Sequence, residues 1–138
     1  MPSSKSHRVR EDRAAEYVDS PLMTQRIRYG HQLPARIDGL YGIYRTEVHL
    51  GRRMDDRCTC PSELWPCKHV RALRRTWKAN RGSFLNLKRF LKELSLRPKP
   101  ALIAAITQMV LMSPECLTVF GVKGFEREPE DEEWQDET

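Results

Sequence analysis

Four residues of types that bind soft metal ions lie close together in this chain: Cys58, Cys60, Cys67 and His69. They read Cys-x-Cys, then six residues, then Cys-x-His. Thiolate sulfur and neutral imidazole nitrogen are ligands zinc prefers, and three sulfurs with one nitrogen complete a tetrahedron. The six-residue gap lets the chain turn back, so that the second pair meets the first around one ion. The alternative is a group of reduced, buried cysteines. That explains neither the spacing nor a histidine two residues from a cysteine. The expectation is one structural Zn2+ held by Cys58, Cys60, Cys67 and His69.

Such a ligand set argues against catalysis. A catalytic zinc keeps one position open for water, whereas four protein ligands close the sphere. The zinc deaminase signature needs a Glu two residues after its ligand His and a Pro-Cys-x-x-Cys. Position 71 is Arg and no Pro-Cys-x-x-Cys exists. No glycine-rich phosphate loop or nucleophile elbow is present either. A binding module is expected rather than an enzyme, with no small-molecule substrate.

The ligands stand in CxCx6CxH order, with Pro61 after the second Cys, Lys68 between the last two ligands, and Val70, Ala72 and Leu73 beyond the His. In these residues the chain resembles the SWIM-type zinc finger, closely over about residues 35–77 and more loosely to about 122. The resemblance implies a β-hairpin feeding the first two ligands and a helix carrying the last two. It also implies roles in nucleic-acid binding and protein–protein contact.

The elements that would position the ligands follow from periodicity. Leu33, Ala35 and Ile37 alternate with Pro34, Arg36 and Asp38. After a turn near Asp38-Gly39, Tyr44, Thr46, Val48 and Leu50 alternate with Arg45, Glu47 and His49. This period of two predicts a hairpin, with Gly42 at a bulge or in a longer turn and His49 on the polar face. A hairpin alone buries too little to be stable, so it must pack on a helix. Zinc would tie the two together and couple metal binding to folding.

That helix is expected from Cys67 to about Asn80. Val70, Leu73 and Trp77 form its core face. Lys68, Arg71, Arg75 and Lys78 form a basic stripe bordered by Arg74 and Arg81. Such a stripe is either a solvated face or a phosphate contact. No acid lies between Lys68 and Lys92, so intrahelical ion pairing cannot account for it, and phosphate contact is favoured. Tyr41, Tyr44 and Trp65 could stack on unpaired bases. Tyr44 and Trp77 suit the core better, and Trp65 suits either place.

Around this centre, Ser20-Pro21 reads as a helix start leading through Leu22, Met23, Ile27 and Tyr29, with Arg26 and Arg28 facing solvent. Ser83 reads as the cap of a helix with Phe84, Leu87, Leu91 and Leu94 inward and Lys88, Arg89 and Lys92 outward. Ala101 to Met112 is a strongly apolar helix whose buried stripe would be Leu102, Ile106, Met109 and Val110. Ile103 and Leu111 lie on its other side, so it sits centrally or offers a partner surface. Ser113-Pro114 opens a last short helix, with Cys116 as an inert core thiol.

The fold class expected is α+β: a zinc-stapled hairpin or short sheet on a helix, then a helical extension. The organisation read from the sequence is a flexible arm over 1–19, a finger over 20–82, the extension over 83–122 and an acidic tail over 123–138. The 138 residues carry a formal net charge of +5, but the sign is unevenly spread. From 126 onward there are eight acids against Arg127 alone, so all but one of the 24 basic residues belong to the body. A basic body with an acidic tail suits a protein that handles polyanions, and equally a pair of solvation devices. No apolar run is long enough to span a bilayer, no signal peptide is evident, and three of four Cys fall in one motif, so an intracellular, reducing location is expected. Nucleic acid is the expected partner, DNA or RNA, with a protein partner as the alternative.

Overall fold

A computed structural model describes residues 13–62 and 64–127. Among the described residues the architecture is α+β, with a four-stranded sheet, a two-stranded sheet and α-helices. The strands are β1 (Met23–Thr24), β2 (Ile27–Arg28), β3 (Gln32–Gly39), β4 (Gly42–His49), β5 (Arg57–Cys58) and β6 (Leu85–Asn86). The helices are α1 (Lys68–Ala79), α2 (Leu87–Leu94) and α3 (Lys99–Met112). The chain divides into two compact units, the first ending at Lys92 and the second beginning at Glu93.

In the first unit the hairpin forms as its alternation dictates. β3 and β4 are antiparallel with Leu33 opposite Val48, Ala35 opposite Thr46 and Ile37 opposite Tyr44. Leu33, Ala35, Ile37, Thr46 and Val48 are buried, and the intervening residues are not. Gly39 faces Gly42 across the end of the ladder, so the loop is Leu40-Tyr41 and Gly42 is no bulge. A Cβ on Gly39 would lie 2.7 Å from a Tyr44 ring carbon, which is why glycine stands there. Order in the sheet is β1-β3-β4-β5, and all its pairings are antiparallel.

Helix α1 lies on this sheet through Val70, Ala72, Leu73, Thr76 and Trp77, all buried. Cys67 is its N-cap and Asn80 its C-cap, which matches the expected span. Burial of Leu73, Val70, Leu33, Ile37 and Val48 makes one contiguous core, each such side chain contributing about 1.5–3 kcal/mol.

Several expectations are corrected. Residues 13–19 are not an arm: Ala14 and Tyr17 are buried in the core, and Asp19 N–H donates to Thr76 Oγ1 at 2.8 Å. The arm expected over residues 1–12 lies outside the described residues. Ser20-Pro21 does not start a helix. The segment after it forms β1 and β2, because Met23 pairs with Ile37 and Ile27 with Leu85. Arg26 does not face solvent, since its guanidinium donates to Asp19, Ser83 and the carbonyls of Ser20 and Met23. Ser83 caps no helix; Asn86 does, its Oδ1 accepting the Arg89 N–H at 3.2 Å. The first unit therefore runs ten residues past the expected boundary at 82, carried there by the β2–β6 pairing and by Phe84 edge-on to Trp77.

The second unit contains α3 and a 3-10 turn, Pro114–Phe120, that packs on it. Leu102 and Val110 are half-buried, while Ile106 and Met109 are 42% and 57% exposed, so the expected buried stripe is not formed. The physical reason is supply. α3 is apolar on all sides and one short 3-10 turn is too little to cover it. Cys116 is half-buried rather than in a core. Among the described residues no helix is long and apolar enough to cross a membrane. Most of the acidic tail, residues 128–138, lies outside the described residues.

Candidate metal centre

The ligand strand reaches the centre by pairing. β5 adds to β4 with Cys58 opposite Thr46 and Arg57 opposite Glu47. Beyond it Thr59 continues the contact: its N–H donates to the Arg45 carbonyl at 3.1 Å, and its Oγ1 accepts the Arg45 N–H at 3.0 Å. The middle residue of Cys-x-Cys is thus pinned from backbone and side chain alike, which orients Cys58 and Cys60 on either side of it. The chain returns to the cluster at Cys67, where α1 begins.

The result is a cluster in which one ligand atom from each of Cys58, Cys60, Cys67 and His69 lies within 4.8 Å of all the others. Cys58 Sγ and His69 Nδ1 are 3.6 Å apart. A tetrahedral zinc with Zn–S of about 2.3 Å and Zn–N of about 2.0–2.1 Å separates sulfur from nitrogen by about 3.6 Å. Nδ1 is therefore the imidazole atom placed to coordinate. Cys67 and His69 are buried, and Cys58 and Cys60 half-buried. A site of this composition and spacing could hold one metal ion, and the donor set suits Zn2+.

Electrostatics favour thiolate here. Cys67 stands at the N-terminus of α1, where the helix dipole stabilises negative charge. Cys58 and Cys67 share a hydrogen bond, which raises the Cys58 thiol well above its ordinary value, with burial adding to the effect. The same bond pushes Cys67 down to about 3, helped by His69. Such a pair keeps one proton between two sulfurs, and a divalent cation displaces that proton because it offers both sulfurs more charge. Thr46, almost wholly buried, lies with Oγ1 3.3 Å from Cys58 Sγ and adds a polar neighbour on the sheet side.

His69 is bracketed by two tyrosines, Tyr44 with ring centroids 4.9 Å away and Tyr17 edge-on at 5.2 Å. They fix the plane of the imidazole. Its Nε2 is buried with no hydrogen-bond partner among the described residues, so only Nδ1 is engaged on the polar side. Tyr44 had an inward position in the alternation. Tyr17 had no signal, because nothing around it is periodic.

Beside the cluster opens a cleft of about 240 Å³, lined by Tyr41, Tyr44, Leu64, Lys68 and Arg71 among others. Tyr41 at the hairpin tip is 87% exposed, and Leu64 and Trp65 in the turn between ligand pairs are 55% and 53% exposed. Trp65 therefore projects rather than packing under the loop.

The basic residues expected on α1 divide into two groups. Arg74 is held in the fold: Nε and a terminal nitrogen donate to Asp56 at 3.1 and 2.6 Å, and the same nitrogen reaches the His49 carbonyl at 3.4 Å. Intrahelical pairing is indeed absent, but the tertiary fold supplies an acid that the sequence spacing did not reveal. Lys68 Nζ stands 5.7 Å from the Tyr17 ring centroid and Arg81 stands 5.2 Å from that of Trp77. Arg71 is half-buried, as is Arg75, and Lys78 is exposed. Arg75 and Lys78 have no ion-pair partner among the described residues. His49 is no ligand; its Nε2 is 2.7 Å from Glu47.

Comparison of the chain with protein-family models, with curated proteins and with solved structures found no match in any of the three. The resemblance to SWIM-type fingers rests on the motif residues themselves.

Proposed function

We propose that this protein is a non-catalytic zinc module of SWIM-like design that binds nucleic acid through the basic face of α1. The observation that carries the reading is Arg75 and Lys78, cations without an ion-pair partner among the described residues, on the same helix that supplies His69. Lys68 and Arg81 extend that face toward either end. Zinc in this reading is structural: it locks β5 to the N-terminus of α1 and so fixes the direction of the basic face. Affinity then comes mainly from phosphate contacts, falls steeply with salt, and carries weak base specificity.

The test is fluorescence anisotropy of labelled single- and double-stranded DNA and RNA, titrated with zinc-loaded protein at several salt concentrations. Binding that weakens with salt and is lost on changing Arg75 and Lys78 to Glu supports the reading. No binding to any probe overturns it.

A second reading has one observation in its favour. Helix α3 leaves Ile103, Met109, Leu111 and Met112 exposed around its circumference, apolar surface that suits a protein partner. In that reading the module is an adaptor. Sedimentation of the isolated chain distinguishes self-association through α3 from a monomer that waits for another protein.

A further inference from the structure

The sequence places basic residues on two separated segments, the helix stripe and the 88–92 cluster. The fold joins them through one indole. Trp77 has the Arg81 guanidinium 5.2 Å from its ring centroid and the Arg28 guanidinium 5.1 Å from it. Two cations attracted to one aromatic face system are each stabilised by the ring quadrupole, yet they are also held near each other, which like charges resist. From Arg28 the positive surface continues. The Arg28 Nε donates to the Gly30 carbonyl at 3.4 Å. Lys88 Nζ comes within 3.5 Å of the place a Cβ on Gly30 would occupy, and lies 5.6 Å from the Tyr29 ring centroid.

The β2–β6 pairing is what makes this meeting possible, since it sets Arg28 beside Asn86 and so brings residue 28 against the start of α2. Between them lies an open groove of about 660 Å³ whose lining is Arg28, Gly30, His31, Asn86, Lys88, Arg89 and Lys92. Four of these seven carry fixed positive charge, one is a histidine, and none is an acid. A fold that gathers Arg28 and Lys88 from two distant segments into one groove with no acid in its lining has built a field for anions. Arg28 and Lys88 are each pre-placed by an aromatic ring, which lowers the entropy lost on meeting a ligand.

We propose that this groove is a second phosphate-binding surface, continuous through Arg28, Trp77 and Arg81 with the basic face of α1, and that a nucleic-acid backbone runs along both. The proposal rests on the nucleic-acid reading above and extends it. The ligand is then a strand or duplex long enough to reach from Lys78 to Lys92, not a mononucleotide or a short end.

The experiment compares three proteins in one anisotropy assay over a range of salt: the full chain, Arg75→Gln/Lys78→Gln, and Lys88→Gln/Lys92→Gln. All three are checked for one zinc per chain and an unchanged melting temperature. Loss of two phosphate contacts flattens the slope of log K against log salt by about 1.8 on duplex DNA or about 1.4 on a single strand. Each double variant should show that change, and shortening the probe should remove the contribution of the groove first. A Lys88→Gln/Lys92→Gln protein with the full slope overturns the groove while leaving the helix face standing. A full chain that binds no probe at any salt overturns both.

Discussion

Arg74 on the ligand helix and Asp56, two residues ahead of Cys58, form a 2.6 Å ion pair whose carboxylate side is almost wholly buried, at 3% exposure. Asp56 also accepts the His49 N–H at 2.8 Å. One carboxylate thus ties the turn before β5 to both the hairpin and α1, holding together the two elements that carry Cys58 and His69. The pair is a brace for the centre. Removing Arg74 would leave a buried carboxylate without its charge partner, a loss of about 3 kcal/mol.

Arg74→Gln is therefore expected to lower stability by about 3 kcal/mol in urea unfolding and to weaken zinc retention against a chelator. The salt dependence of nucleic-acid binding should not change. A flattened salt slope with normal stability would instead make Arg74 a phosphate contact.

Tyr17 should matter more than its place near the N-terminus suggests. It is buried, stacks edge-on to His69 and receives Lys68 over its ring. Tyr17→Ala is expected to cost about 3 kcal/mol, in the range of large aromatic truncations, and to broaden the His69 resonances by freeing the imidazole plane. An unchanged unfolding midpoint would show that residues 13–19 are dispensable to the core.

What could be read from the sequence follows the strength of local pattern. The candidate metal cluster was legible because Cys58, Cys60, Cys67 and His69 are metal-binding residue types set in two close pairs, and the fold brings them within 4.8 Å of one another. The hairpin and α1 were legible because Leu33, Ala35, Ile37 and Val70, Leu73, Trp77 repeat at the periods of strand and helix. Residues 13–28 were misread because β1 and β2 are two residues each, too short to show any period, and exist only through pairing with Ile37 and Leu85. Arg26 and Arg74 looked like solvent-facing cations because their acids, Asp19 and Asp56, are distant in sequence and near in space. The apolar pattern of α3 was correctly seen, but apolarity states a need for cover and does not supply it.

Asp19 gives the fold an acid-sensitive link. Hydrogen bonds from Arg26 first, then Asn80, hold its carboxyl below the ordinary value. A group depressed in the folded state stabilises above its unfolded pKa of about 3.9, and that contribution disappears as pH falls through the folded value. Asp19→Asn should be less stable than the parent at neutral pH, and the difference should close below about pH 4. Melting temperatures of the two proteins across that range check the sign. A constant difference at all pH values would assign the effect to packing.

The acidic segment from Glu126 onward carries charge opposite to the basic faces. If it competes with nucleic acid for them, truncation after Phe125 should raise affinity at low salt and make little difference above the screening range, where the Debye length is only a few ångströms. Equal affinities at low salt would remove the tail from the account.

The metal content of the purified chain, beside that of Cys67→Ser, tests the central claim most directly. One zinc per chain in the parent, with metal lost and melting temperature sharply lowered in Cys67→Ser, is the result this account expects, because the ion carries folding free energy in a centre of this kind. A parent without stoichiometric metal, or a Cys67→Ser protein that keeps full zinc and its melting temperature, would contradict it.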